Sequence, residues 1–154
     1  LGKDVRQCPD CLRFYNGSRA TMCNYCSDKT RNDAQLMIIE KDQDLSAIER
    51  AGTYRGYYFV LGGVLTLSGK GAIREKELLQ TIEKRLKNNL KEVVLALSAT
   101  SEGEHTSDRV RELLVPYRDH LKVSELGRGL ATGSELEYSD AETLRAALIN
   151  RKET

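Results

Sequence analysis

The sequence lacks any apolar run long enough to cross a bilayer, which needs about 20 consecutive residues. Its first residues, Leu-Gly-Lys-Asp-Val-Arg, also lack the apolar core of a secretory signal. No charge of one sign prevails, because 24 Lys and Arg oppose 23 Asp and Glu and leave a net charge of +1. This balance excludes neither a nucleic-acid partner nor a protein partner, so only local charge patches are informative. We expect a cytoplasmic protein with no membrane partner.

Cysteine is absent beyond residue 26, and the four cysteines before it form two C-x2-C pairs: Cys8, Cys11, Cys23 and Cys26. Two such pairs can place four thiolates around one tetrahedral Zn²⁺. A redox dithiol would need only one pair, and disulfides are disfavoured in a chain without signs of secretion. Four thiolates fill the coordination sphere of zinc, so we expect a structural zinc site rather than a catalytic one.

Residues 1–32 are the predicted zinc finger, and they contain few large apolar side chains. Because so small a core cannot stabilise a fold alone, we expect folding of this segment to depend on the metal. The segment is only mildly basic once the charges of four thiolates and one zinc ion are included. A structural role and a nucleic-acid-binding role both stay open for it.

The rest of the chain alternates short apolar runs with helical patterns. Four strands are predicted, at Leu36 to Ile39, Tyr57 to Leu61, Glu92 to Leu97 and Leu121 to Leu126. Asp42 or Asp44 is expected to cap the helix after the first strand, and Glu75 to Lys87 forms the next helix. This order predicts an α/β fold for residues 33–127, with a four-stranded parallel sheet flanked by helices.

A C-terminal segment, residues 128–154, follows the predicted sheet. It begins among glycines and contains a capping box from Ser139 to Glu142, followed by an apolar stripe. We therefore expect a terminal helix there.

Acidic side chains follow two of the predicted strands. Glu40 comes directly after the first strand, with Asp44 just beyond it, whereas Glu102 and Glu104 follow the third. Since ligands of open α/β sheets bind at the carboxyl ends of strands, these residues are candidates for chemistry or binding. The alternative, that Glu40 only favours the positive N-terminus of the following helix, stays open.

The most basic window of the chain extends from Lys70 to Lys91. Within it, Lys84, Arg85 and Lys87 lie largely off the apolar stripe of the predicted helix. Such a surface can attract phosphate backbones, so these three residues are candidates for DNA binding. A solvated helix face without a ligand is the alternative.

Several motifs in order carry a resemblance to a known family. They are the cysteine pairs, Ile39 to Glu49, Tyr54 to Gly63, Thr100 to Glu104, and Gly129 to Asp140. Together they resemble the RecR family of bacterial recombination mediators over nearly the whole chain. The resemblance implies a zinc finger, a Toprim domain and a C-terminal segment likened to a Walker B element.

Three departures from the family pattern are visible. Asp42 stands where the family usually has proline, and Val64 to Gly71 differs from the family's loop. The family's N-terminal helix-hairpin-helix, which is implied to bind DNA and to help close a ring-shaped tetramer, has no counterpart here. We therefore expect a short form or a fragment that binds DNA weakly, and leave a homo-oligomer open.

The resemblance also bears on catalysis. Catalytic Toprim domains pair a strand-end glutamate with two aspartates that hold Mg²⁺, and Ser98 and Thr100 stand at the two aspartate positions. Neutral hydroxyls do not replace two carboxylate charges. We therefore expect no enzyme activity; a divergent Mg²⁺-dependent Toprim nuclease or primase is the alternative, and a bare zinc-ribbon binding module is a third hypothesis.

The function implied by the resemblance is recombinational DNA repair. The expected protein is a zinc-containing scaffold that joins RecO or RecF and helps to load recombinase on gapped DNA. We expect Glu40, Asp44, Glu102 and Glu104 to form an acidic partner-binding rim at the carboxyl edge of the sheet.

Overall fold

The computed structural model describes residues 5–16, 22–66 and 72–126, and the backbone of residues 152–153. The first elements are β1 (Val5–Gln7), β2 (Phe14–Asn16), β3 (Asn32–Ile39), α1 (Asp42–Ala51) and β4 (Gly56–Val60). They are followed by α2 (Glu75–Leu86), β5 (Glu92–Ala96), α3 (Ser101–Leu114), a 3₁₀ turn (Val115–Tyr117), β6 (Lys122–Glu125) and β7 (Lys152–Glu153). Within the described ranges, every helix is too short or too polar to span a bilayer.

The larger sheet has the strand order β4-β3-β5-β6-β7. Its first four strands pair in parallel, which confirms the predicted four-stranded parallel sheet with flanking helices. A fifth strand, which the sequence did not indicate, is added because β7 pairs antiparallel with β6. The predicted C-terminal helix lies outside the described residues.

The central strands are buried on both faces, as their continuous apolar runs predicted. Leu36 and Ile38 of β3 belong to the core on one face of the sheet. Met37 and Ile39 belong to the core on the other face. This alternation follows from the two-residue period of a strand, and it explains why no polar residue interrupts the run.

The helices divide between the two faces. Leu45 and Ile48 of α1 pack on one face, whereas α2 and α3 cover the other with residues such as Leu78 and Val110. The chain leaves β3 toward β4 on one side and leaves β5 toward β6 on the other. A crevice therefore forms between the carboxyl ends of β3 and β5, the kind of place where open α/β sheets bind ligands.

The N-cap residue of α1 is Lys41 rather than the predicted Asp42 or Asp44, and Asp44 contributes to the cap as the third residue of the helix. It does so from inside the first turn, where its Oδ2 accepts a hydrogen bond from the backbone N–H of Lys41 at 3.2 Å. The helix ends at Gly52, whose φ of 69° is a left-handed conformation that glycine adopts at little cost.

Residues 5–16 and 22–31, here called the cysteine module, precede the larger sheet. Strands β1 and β2 form its antiparallel hairpin. Its core contains the four cysteines together with Tyr15, with Met22 and Tyr25 packed against them.

Candidate functional site

The four cysteines form one cluster in the cysteine module. The sulfur atoms of Cys8, Cys11, Cys23 and Cys26 all lie within 4.8 Å of one another. The Sγ atoms of Cys11 and Cys23 are 3.6 Å apart. Tetrahedral coordination with Zn–S bonds of about 2.3 Å requires sulfur–sulfur separations of about 3.8 Å. The cluster therefore fits a tetrahedral metal ion and leaves no position for a substrate.

Two tight turns present these sulfurs. In the first turn, the carbonyl oxygen of Cys8 accepts a hydrogen bond from the N–H of Leu12 at 2.9 Å. The N–H of Cys8 donates a hydrogen bond to Arg13 O at 2.8 Å. Leu12 closes this turn with a φ of 66°, which is unusual for a residue with a branched side chain. In the second turn, the N–H of Cys26 donates to Cys23 Sγ at 3.5 Å. Such N–H donors favour a thiolate and therefore a bound cation.

Hydrogen bonds among the sulfurs distribute the protons of the metal-free cluster unevenly. The hydrogen bond with Cys11 lowers the pKa of Cys8 to about 6 and lowers the pKa of Cys23 strongly. The pKa of Cys11 is raised, chiefly by its hydrogen bond with Cys23. The pKa of Cys26 is also raised, chiefly by its hydrogen bond with Cys11. A divalent ion would displace the protons that these sulfurs still hold.

Helix α2 holds the cysteine module from one side. The Nη2 of Arg85 lies 3.9 Å from Cys26 Sγ, and its guanidinium carbon lies 4.1 Å from the centroid of the Tyr57 ring. Lys84 Nζ contacts Asp10 Oδ1 at 2.5 Å, and the hydroxyl of Thr81 donates to Asp10 O at 3.0 Å. The module is therefore fixed to the larger sheet next to its metal-binding sulfurs.

Helix α1 holds the cysteine module from the other side. The buried Arg31 donates to Glu49 Oε1 at 2.5 Å, and the hydroxyl of Tyr58 donates to the other oxygen of Glu49. The guanidinium of Arg31 also lies 5.1 Å from the centroid of Tyr25. Sequence reasoning missed these contacts, because an ion pair between residues far apart in the chain leaves no local pattern.

The outer edge of β4 is covered by the same module. The N–H of Val60 donates to Cys11 O at 2.8 Å, and Arg74 Nη1 donates to Leu12 O at 3.0 Å. An uncovered edge strand is a template for unwanted pairing. The cysteine module thus protects one edge of the larger sheet.

At the carboxyl edge of the sheet, Glu40 and Ser98 meet in the crevice between β3 and β5. Glu40 Oε1 accepts a hydrogen bond from the backbone N–H of Ser98 at 2.6 Å. The hydroxyls of Ser98 and Thr100 are 2.9 Å apart, and Thr100 Oγ1 accepts from the N–H of Gly103 at 3.0 Å. The two hydroxyl residues therefore organise the start of α3, and Glu40 anchors the loop before it.

The other acidic candidates lie in different surroundings. Asp44 is only 2% exposed and caps α1. Glu102 and Glu104 are exposed in the first turn of α3. Among the residues that the structure describes, only the four cysteines form a group of three or more potential metal ligands close enough to share an ion. Glu40, Glu102 and Glu104 therefore do not meet as a metal site.

The three basic candidates also differ from one another. Lys84 pairs with Asp10 although its side chain is 59% exposed, and Arg85 is held by Tyr57 and Cys26. Lys87 is exposed just after α2 ends. Two of the three are thus engaged in docking the cysteine module.

Comparison with solved structures supports the fold. The E. coli primase catalytic core superimposes with a TM-score of 0.57 at 14% identity, covering 91% of this chain and 44% of that one. A DnaG primase catalytic domain bound to ssDNA gives a TM-score of 0.56 at 12% identity, with the same coverages of 91% and 44%. The chain spans less than half of either primase chain, and identities this low show a shared fold alone.

Comparison with protein families and curated relatives is more specific. The family model described as the Toprim domain matches residues 34–126, and that described as RecR, C-terminal matches residues 129–152. The recombination protein RecR of Lactobacillus acidophilus is 38% identical over 152 residues, covering 97% of this chain and 73% of that protein. The recombination protein RecR of Cereibacter sphaeroides is 37% identical over 143 residues, covering 93% and 71%. These matches confirm the resemblance drawn from the motifs, and the chain belongs to the RecR family.

Proposed function

We propose that this protein is a non-catalytic, zinc-containing scaffold of recombinational DNA repair. It joins RecO or RecF to DNA and so helps to load recombinase on gapped DNA. Membership of the RecR family supports the repair role. The observation that carries the non-catalytic part is the pair of hydroxyl residues, Ser98 and Thr100, at the carboxyl edge of the sheet.

The chemistry of that edge supports a scaffold. Mg²⁺ takes hard oxygen ligands, and phosphoryl transfer requires a cluster of negative charge to hold it. Ser98 and Thr100 supply no charge, and one oxygen of Glu40 accepts a hydrogen bond from the peptide of Ser98. The residues that catalytic Toprim domains would use for a metal ion here stabilise the loop and the helix start.

Zinc is the proposed ion of the cysteine cluster. Four thiolates in a tetrahedral arrangement are typical of structural zinc, which needs no open coordination position. The ion would hold the two turns of the cysteine module together, and through Arg85 and Arg31 it would keep the module on the larger sheet. Its role in this proposal is entirely structural.

The proposed partner-binding rim consists of Glu40, Glu102 and Glu104. Glu102 and Glu104 are exposed in the first turn of α3, and Glu40 is half-buried in the crevice between β3 and β5. Asp44 supports the rim by capping α1 and does not contact a partner, because it is buried. An acidic rim repels DNA and attracts a basic protein surface, which we propose is that of RecO.

Direct DNA contact through the helical part of the fold is proposed for the exposed end of α2. Lys87 is exposed and can approach a phosphate. Lys84 is already paired with Asp10, and Arg85 already contacts the cysteine cluster, so both would bind a phosphate less strongly. We therefore expect this contact to be weak and sensitive to salt.

Metal-dependent turnover is the deciding measurement. Purified protein, with Mg²⁺ or Mn²⁺, is incubated with gapped DNA for cleavage and with single-stranded template for primer synthesis. Neither product is expected. If product forms with the wild type and is absent with Glu40→Gln, the protein is a divergent Toprim nuclease or primase and the scaffold proposal is wrong. Measurement of mass in solution with RecO and with DNA then tests the scaffold itself.

A further inference from the structure

The hairpin of the cysteine module presents one face away from the metal cluster. In its register Val5 pairs with Asn16 and Gln7 with Phe14, so these four side chains share that face. All four are exposed, whereas Tyr15 on the opposite face is buried against the cysteines. We call Val5, Gln7, Phe14 and Asn16 the hairpin face.

This face carries unusual apolar exposure. Among the described residues, three large apolar side chains are exposed, and Val5 at 42% and Phe14 at 51% are two of them. The ring of Phe14 lies beside the carboxamides of Gln7 and Asn16. It does not contribute to the core of the module, which Tyr15 and the cysteines form. The exposed ring of Phe14 offers a flat apolar surface on which a planar ligand can stack.

A cavity of ≈ 440 Å³ lies along β2 beside Phe14. Its lining comes from both faces of the strand and from the second cysteine turn: Arg13, Phe14, Tyr15, Asn16, Met22, Asn24 and Ser27. This volume falls in the range of small-ligand sites, about 300–1,000 Å³. The lining combines two aromatic rings, a thioether, two carboxamides, a serine hydroxyl and a guanidinium, which together suit a flat, polar-edged ligand.

The polar groups around the cavity are already oriented. Arg13 Nη2 donates to Asn24 Oδ1 at 2.8 Å, which leaves the amide nitrogen of Asn24 as a hydrogen-bond donor. The guanidinium of Arg13 lies 4.9 Å from the centroid of the Tyr25 ring, so two contacts fix it. The N–H of Phe14 donates to Asp42 Oδ2 at 3.3 Å, which ties the hairpin to the start of α1. The site is therefore preorganised.

We propose that the hairpin face binds an unpaired base of single-stranded nucleic acid. The base stacks on Phe14, its polar edge contacts the carboxamides of Asn16 and Asn24, and the charge of Arg13 attracts the adjoining phosphate. Stacking on an exposed aromatic is the common device of single-strand binding surfaces. Two apolar side chains are too small a patch for a stable protein interface, which buries about 800 Å² per partner.

The electrostatics of the module set the character of this binding. Within residues 5–16 and 22–31, four basic residues face two acidic ones, and a zinc tetrathiolate adds a charge of about −2. The module is thus nearly neutral, and Arg13 is the basic residue that lines the cavity. Binding depends on stacking, and the salt dependence is shallow, with a slope of about −0.7 to −1.4 in log K for one or two phosphates.

The experiment uses the full zinc-loaded chain and a short oligothymidine that carries one 2-aminopurine. Fluorescence anisotropy gives the affinity at two salt concentrations, and quenching of the 2-aminopurine reports stacking. Phe14→Ala is expected to weaken binding by about 5- to 150-fold and to abolish the quenching. Phe14→Tyr keeps an aromatic ring and is expected to retain both. Val115→Ala, which removes the third exposed apolar side chain, is the matched control and is expected to change neither.

Three results would overturn the proposal. The first is wild-type affinity and quenching in Phe14→Ala, and the second is absence of oligonucleotide binding by the wild type. The third is loss of RecO binding in Phe14→Ala with oligonucleotide binding unchanged, which would make the hairpin face a protein interface. This second site rests on the DNA binding of the proposed function. Lys87→Ala tests the end of α2 separately, so that failure of one site is distinguishable from failure of the other. Unchanged thermal unfolding of each variant establishes that the fold is retained.

Discussion

The carboxylate of Glu40 accepts a hydrogen bond from the backbone N–H of Ser98 at 2.6 Å, and this contact joins the ends of two neighbouring parallel strands. Glu40 follows β3 and Ser98 follows β5, so the contact closes the crevice where ligands of open α/β sheets bind. The carbonyl of the same Ser98 faces the first turn of α3. The backbone of one residue, Ser98, therefore links β3, β5 and the helix that carries Glu102 and Glu104.

Gly103 is the residue that allows this close approach. A Cβ atom placed on Gly103 would lie 2.1 Å from Ser98 O, and the helix start would have to move. Gly103→Ala is therefore expected to lower the free energy of unfolding by about 1–3 kcal/mol. Urea unfolding measures this loss, with Ser101→Ala, at an exposed position of the same turn, as the control. Equal stability of the two variants would show that the loop carrying Ser98 can shift freely.

The zinc site is expected to stabilise more than its own module. Cys23→Ser or chelation should release the metal and unfold the cysteine module, because the metal-binding free energy is folding free energy here. The edge of β4 then loses the contact between Val60 and Cys11, so the thermal transition of the larger sheet should also fall to a lower temperature. Metal analysis and circular dichroism provide the test, and Ser27→Ala is the control in the same turn. A folded, metal-free protein would contradict this prediction.

Local patterns made much of this fold predictable. The apolar run from Leu36 to Ile39 indicated a strand buried on both faces, and the spacing of the cysteines indicated a single four-sulfur cluster. Both signals are short in sequence and depend on geometry that any strand or turn shares. The position of Glu40 at a strand end was predictable for the same reason, because parallel strands bring their carboxyl ends to one edge.

The docking of the cysteine module was not predictable from such patterns. Arg31 and Glu49 pair across 18 residues, and Lys84 and Asp10 pair across 74. No periodicity links residues at these separations, and their charges alone look like ordinary surface residues. For the same reason the basic character of α2 makes Lys84 and Arg85 candidates for DNA binding in the sequence, and their contacts with the cysteine module are visible only in the structure. Asp44 could be either cap or rim in the sequence, and its burial identifies the cap.

The pair of Arg31 and Glu49 is expected to contribute strongly to stability. The side chain of Arg31 is only 6% exposed, and Glu49 also accepts the hydroxyl of Tyr58. Arg31→Met leaves the carboxylate without its cation, and breaking a buried pair in this way costs about 3 kcal/mol. The double variant Arg31→Met/Glu49→Met removes both charges, so it should lose less free energy of unfolding than Arg31→Met alone. Urea unfolding tests this, with Arg50→Met, an exposed arginine on α1, expected to change stability by about 0.5 kcal/mol or less.

Charge reversal on the exposed rim tests the proposed partner surface. Glu102→Lys and Glu104→Lys are suitable because both side chains are exposed, whereas a lysine at Glu40 would lose the acceptor for Ser98 and disturb the fold. A single exposed ion pair contributes only about 0–1 kcal/mol, so one reversal should weaken RecO binding modestly and the double variant clearly more. The loss should shrink at high salt, because rim charges act through screened attraction and steering.

Asp119→Lys makes the same charge change before β6, at the opposite end of the sheet, and should leave RecO affinity unchanged. DNA affinity should stay the same or rise in the rim variants, since two repulsive charges are removed. Titration against RecO and DNA at two salt concentrations measures both, and equal RecO affinities of wild type and double variant at low salt would place the partner elsewhere.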